Sequence, residues 1–277
     1  MKKLNKFKAM KLYKLLGIGA LSLGIVACTT NPITGRKSLQ IANDQELAAM
    51  ALQQYQQTLK ESKVVSGTAQ AKSVTNVGLR IKNAAENYYK NIGRSADLAN
   101  YQWEFNLIQD KQLNAWCMPG GKVAVYTGIL PVTKTDAGLA VVMGHEVSHA
   151  LAGHGNERVS QAMVAQYGGQ IIGGSISNSQ LAGIFAQAYP VGAQVALLKY
   201  GRNQELEADK MGLMLMAMAG YDPREAQPFW ERMQGASSAN GTPEFLSTHP
   251  NPESRRSDIQ KNLPQALEYY KAAGGKI

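Results

Sequence analysis

Apolar positions recur every three to four residues from about Asn43 to Lys60 and again from about Thr68 to Tyr89. That is the period of helices with one buried stripe, and Asn43 or Asp44 can cap the first. Between Gln102 and Gln109 the period shortens to two, with Trp103, Phe105 and Leu107 set against Gln102, Glu104 and Asn106. This predicts a strand with one buried face. Asn114 to Gly128 reads as a strand pair folded at Pro119-Gly120-Gly121, whose second arm leads to a segment apolar on every side, Ala137 to Ala152. Thr135-Asp136 can cap that segment and Gly153 can end it, so a buried helix is expected. From Asn156 to Leu198 the pattern loosens into Gly, Ser, Gln and Ala and reads as mobile helix and loop near a cleft, a candidate lid. Arg202 opens a Met- and Leu-rich helix to Gly220, Tyr221-Asp222-Pro223 turns into another ending near Met233, and an amphipathic helix closes the chain after a polar loop.

At the start of the chain the same pattern separates a leader from the folded part. Six lysines in the first fourteen residues precede the apolar run Leu15 to Ala27. The run is short for a membrane span, and residues 1–27 read as a signal peptide. It ends Ile25-Val26-Ala27-Cys28, as in a bacterial lipobox, so Cys28 is the candidate lipidation site and its acyl chains the membrane anchor. A plain secretory signal or an uncleaved anchor are the alternatives. Residues 28–42 lack periodicity and read as a tether, which leaves 43–277 as one domain. The leader also disposes of the formal charge of +9, since without its six lysines the chain carries +3. So small an excess gives no electrostatic case for nucleic acid.

Candidate chemistry enters at His145-Glu146-Val-Ser-His149. Two histidines four positions apart lie about 40° apart on one helix face, close enough to share an ion. Burying them with Glu146 among Ala, Val and Leu is costly unless they are paired or metal-bound. The pattern points to one zinc ion per chain, which needs a third protein ligand and, in a catalytic site, an open position for water. Glu146 beside the metal is the candidate general base. Glu205 and Asp209 share a face of the later helix, with Glu207 pointing roughly the other way. Glu205 is the candidate third ligand, and Asp209 the carboxylate that accepts the outer N–H of a ligating histidine. An exposed acidic helix start is the bland alternative.

The remaining candidates are weaker. His154, five residues beyond His149, would be rotated about 140° on a continuous helix and is expected at an exposed helix end, not as a ligand. His249, beside Pro250 and followed by Arg255 and Arg256, is a candidate donor to the oxyanion of peptide hydrolysis or a holder of a substrate terminus, with Arg255 a candidate alongside; a capping histidine is the alternative. Lys122, Val123, Ala124 and Val125 form either a free edge that could pair with an extended substrate or a central strand. Cys117 is expected to be buried and inert, with thiolate occupation of the open metal position as a competing hypothesis.

Taken together, Asn114-Ala115, Pro119-Gly120-Gly121, His145-Glu146-x-x-His149, Glu205-x-x-Ala208-Asp209 and Thr248-His249-Pro250 with Arg255 resemble the HtpX-like and CAAX-prenyl-protease family of zinc metallopeptidases over about residues 31 to 262. Within it they most resemble small bacterial outer-membrane lipoproteins of the LoiP kind. The resemblance implies a gluzincin fold, α+β and mostly helical with a short sheet over the active-site helix. It also implies endopeptidase action on polypeptides and quality control of envelope proteins. By position it implies that His145, His149 and Glu205 are ligands, Glu146 the base and Asp209 the supporting carboxylate. Thr29 after the cysteine, by resemblance to such lipoproteins, implies the periplasmic side of the outer membrane, and the assembly machinery there is an expected partner. Arg256 and Gly201 depart from the family pattern, where an apolar residue and serine are usual. A periplasmic chaperone or assembly scaffold with a latent or structural metal site is the competing expectation.

Overall fold

A computed structural model describes residues 28–168, 176–189, 200–240, 244–249 and 252–277. The expected signal peptide lies outside the described residues, as do parts of the candidate lid. Strands β1 (Cys28–Thr30) and β2 (Lys37–Leu39) pair antiparallel as a hairpin. The expected tether is therefore ordered. At the hairpin turn the buried Asn31 accepts from the Ile33 and Thr34 amides through Oδ1, while its Nδ2 reaches Met211 Sδ at 3.1 Å on a distant helix. An Asn that folds its own turn and also touches the core ties the segment down, which periodicity alone does not reveal.

Helix α1 (Asp44–Glu61) begins where its cap predicts, with Asn43 Oδ1 accepting from the amides of Gln45 and Glu46. After the two-residue β3 (Val64–Val65), α2 runs Ala69–Asn91 behind a Thr68 cap. Strands β4 (Glu104–Ile108), β5 (Ala115–Met118) and β6 (Lys122–Tyr126) complete a sheet of order β3-β4-β6-β5. β6 pairs parallel with β4 and antiparallel with β5. Lys122 to Val125 is thus a central strand, and the free-edge reading is corrected: both of its ladders are taken, and the Lys122 ammonium is bound to the Gln102 carbonyl. The edge is β5.

The sheet is covered on both faces. Val123 and Val125 point into one apolar cluster with residues of α2, and Ala124 and Tyr126 into another with residues of α1. Alternation along one strand, with both faces buried, explains why this stretch is apolar throughout. The first cluster also holds α4 (Asp136–Leu151), reached through the short α3 (Leu130–Thr133), and α7 (Arg202–Met218). The second takes in α5 (His154–Tyr167) and α6 (Asn178–Ala188). Helices α8 (Ala226–Asn240), α9 (Glu244–Thr248) and α10 (Pro252–Ala272) close the chain. α8 continues past Gly235 to Asn240, through most of the expected polar loop. Among the described residues no helix is long and apolar enough to cross a membrane.

The contact that matters most for the site is α4 against α7. A Cβ on Gly144 would lie 2.9 Å from the Gly212 carbonyl oxygen, and one on Gly212 would lie 2.8 Å from the backbone nitrogen of His145. Only two glycines allow the backbones so close.

Candidate metal centre

The α4–α7 crossing brings the two candidate ligand pairs face to face. His145 and His149 present Nε2 atoms 3.0 Å apart. Glu205 Oε1 is 3.4 Å from His149 Nε2, and Oε2 is 3.6 Å from His145 Nε2. His249, from the end of α9, joins them, its Nδ1 2.9 Å from Glu205 Oε1 and 3.2 Å from His145 Nε2. All four residues are buried, and their nearest donor atoms lie within 4.8 Å of one another.

The electrostatics follow from burial. Removal from water holds the His145 and His149 rings well below the usual imidazole range, hence neutral with one bare nitrogen each. Burial would raise the Glu205 carboxyl, but His249 and Arg255 beside it bring it below its ordinary value. Burial likewise opposes protonation of His249, and the Glu205 and Glu146 carboxylates more than reverse this. Glu146 lies at the edge of the cluster, its Oε1 3.4 Å from His249 Nε2, and burial pushes its carboxyl up to about 7. Next to it a cavity of about 20 Å³ is lined by β5, Tyr189, Tyr200 and His249. That is room for roughly one water.

Supporting groups surround the donors. Asp209 Oδ1 is 2.9 Å from His145 Nδ1, as expected of the outer nitrogen of a ligand, although the ring N–H is not aligned into a hydrogen bond. Arg255, 1% exposed, binds Glu205 and lies 3.1 Å from Asp209 Oδ2, with its guanidinium 4.0 Å over the Trp230 ring. It faces the carboxylates, not the cavity. Tyr200 stacks on the His149 ring at 3.8 Å, and Arg158 covers the far side of Tyr200 at 4.2 Å. Cys117 is buried, its thiol pushed up by desolvation, and it is not among the four clustered donors.

His154 departs from the expectation of an exposed helix end. It is fully buried, with Nδ1 2.8 Å from His149 Nδ1 and Nε2 3.0 Å from Glu207 Oε2. The 140° rotation assumes an unbroken helix, whereas Gly153 takes a left-handed φ of 66° and restarts the chain as a new helix. The Gly153 stop was the available signal. Glu207, set aside because it points away from Glu205, receives His154, Thr34 and Arg36 instead.

The donor set fits a metal ion. Two buried neutral imidazoles with Nε2 atoms 3.0 Å apart, and an ionised carboxylate beside them, converge where a cation would take their lone pairs. Two imidazoles on one tetrahedral zinc stand about 3.3 Å apart at bond lengths near 2.0 Å.

A profile of peptidase family M48 matches residues 79–263. The chain belongs to that family. Its fold is accordingly the zincin-type metallopeptidase domain, mostly helical with a small sheet. Among its relatives, mitochondrial metalloendopeptidase OMA1 of Schizosaccharomyces pombe is 36% identical over 64% of this chain and 51% of that protein. OMA1 of Saccharomyces cerevisiae is 32% identical over 71% and 57%. A putative beta-barrel assembly-enhancing protease of Vibrio cholerae is 30% identical over 64% and 39%. The chain therefore spans about half or less of the length of most curated relatives it matches, the Saccharomyces cerevisiae protein slightly more.

Proposed function

We propose that this M48 chain is a zinc-dependent endopeptidase of the bacterial envelope. The observation that carries the proposal is the convergence of His145, His149 and Glu205 from two separate helices, with Glu146 beside them. When bound, the ion polarises the scissile carbonyl and lowers the pKa of a water. His145 and His149 would hold it through Nε2 and Glu205 through its carboxylate. Glu146 takes the proton of the attacking water and returns it to the leaving amine, with no covalent intermediate on the protein. The edge strand β5 lines the cavity beside Glu146, which places its backbone next to the point of cleavage.

The envelope setting rests on the lysine-rich leader, its apolar run and the exposed Cys28, read as the lipidated first residue of the mature protein. Within the family we place the chain with the HtpX-like group and its outer-membrane lipoproteins of the LoiP kind. Misfolded or envelope proteins are its substrates and the outer-membrane assembly machinery its partner. The name of the Vibrio cholerae relative, a beta-barrel assembly-enhancing protease, supports that setting; the mitochondrial relatives support the chemistry alone.

One observation favours the second reading, a periplasmic chaperone or assembly scaffold with a latent or structural metal site. With His249 in place the donors number four, the count of a closed zinc site, whereas hydrolysis needs one position open.

Glu146→Gln should keep the fold and the bound zinc while removing nearly all cleavage of an unfolded protein substrate. Undiminished cleavage by that variant, or cleavage by the wild type that survives a zinc chelator, refutes the assignment.

A further inference from the structure

We propose that the N-terminal hairpin β1–β2 is a positioning element of the metal centre: Arg36 fixes Glu207, Glu207 fixes His154, and His154 holds His149 in the tautomer whose Nε2 faces the other donors. The proposal rests on the metal-centre reading. It adds residues 28–39, which lie outside the matched M48 region.

With both rings neutral, the hydrogen-bond chain admits one proton arrangement. Glu207, as a carboxylate, only accepts, so the His154 nitrogen 3.0 Å from it, Nε2, carries the hydrogen. The neutral ring then has a bare Nδ1. His149 Nδ1, 2.8 Å away, must donate to it, which leaves His149 Nε2 bare and directed at the donor cluster. Unlike the contact of His145 with Asp209, this one is an aligned hydrogen bond, so His149 has the better-determined ring of the two.

The hairpin decides where Glu207 sits. Thr34 Oγ1 donates to one oxygen of that carboxylate and Arg36 Nε to the other, the oxygen shared with His154. Arg36 is itself clamped: its Nη1 and Nη2 fork onto Glu157 at 2.9 and 2.8 Å, and Gln204 from the first turn of α7 holds Glu157 at 2.7 Å. A forked, planar guanidinium between two carboxylates has little freedom to shift. The geometry of a ligand on α4 is thereby tied to a turn more than a hundred residues earlier in the chain. A partner hydrogen-bonded directly to a metal ligand, as His154 is to His149, is worth about 10- to 100-fold in affinity, and groups further along the chain act through it.

The test measures zinc affinity of the full-length chain by competition with a chromophoric chelator, together with the visible absorption of the cobalt(II)-loaded protein. Glu207→Gln and Arg36→Met should each weaken zinc more than twofold per folded molecule, with the roughly 10- to 100-fold of a direct ligand partner as the upper limit, and shift the cobalt band, and Arg36→Lys should recover part of the loss. Arg94→Met removes the hydrogen bond to the Thr30 carbonyl of the hairpin without touching Arg36, Glu157 or Glu207, so it should leave affinity and band unchanged. Circular dichroism reports the folded fraction of each variant. Affinities of Glu207→Gln and Arg36→Met within twofold of wild type, or an equal loss in Arg94→Met, overturn the proposal while leaving the metal centre intact. A wild type that binds neither zinc nor cobalt overturns the metal centre itself, and the positioning role with it.

Discussion

Gly212→Ala separates the packing of the fold from the geometry of the site. The added methyl would stand 2.8 Å from the His145 backbone nitrogen and 3.0 Å from the Gly144 carbonyl carbon, both fixed parts of α4. Ordinary contact begins near 3.4 Å, so α7 must move away from α4 by about 0.6 Å. For stability the effect is modest. Overpacking costs about 1–3 kcal/mol, and replacing a helical glycine by alanine returns about 1 kcal/mol, for a net loss of roughly 0–2 kcal/mol. For the donors it is large, because metal ligand distances tolerate only about 0.2 Å. His145 and His149 ride on α4 and Glu205 on α7, so the displacement opens the cluster directly. The expected result is at least a tenfold loss of zinc affinity with a melting temperature of the metal-free protein lowered by only a few degrees. Wild-type zinc affinity in Gly212→Ala would show that the crossing does not set the donor spacing and would refute the argument.

Arg255→Met removes the buried cation facing Glu205 and Asp209 and should destabilise the metal-free protein by about 3–5 kcal/mol in urea unfolding, with part restored by zinc, which supplies positive charge at the same place. The Glu157 carboxyl lies below its ordinary value because Arg36 and Gln204 outweigh the opposing effect of burial. A depressed carboxyl stabilises the fold above its unfolded-state pKa and ceases to as pH falls through the folded-state value. The melting-temperature gap between wild type and Glu157→Gln should therefore be full at pH 6–7 and shrink in acid below about 4.3; a gap that widens on acidification contradicts the pairing. Cys117 should resist iodoacetamide in the native protein at pH 8 and react on denaturation, since desolvation holds it as a thiol. Native-state labelling as fast as that of a free thiol would show the strand to be open.

Much of the site was legible from spacing. His145 with His149 and Glu205 with Asp209 share faces because an α-helix repeats every 3.6 residues whatever surrounds it, and the Asn43 and Thr68 caps act on their own first turns. These properties belong to local backbone geometry, so the amino-acid order fixes them. What joins distant segments does not. Whether Lys122–Tyr126 is central or edge depends on β4 docking beside it. The meeting of α4 with α7 depends on two glycines that carry no mutual signal 68 positions apart. His154 faces His149 because Gly153 breaks the helix on which the rotation would have been counted, and Arg36 reaches Glu207 because Asn31 and the hairpin dock the N-terminal segment onto α7. Tertiary packing decided those relations, since they arise from which surfaces bury one another, and no periodicity along a single segment records its neighbour.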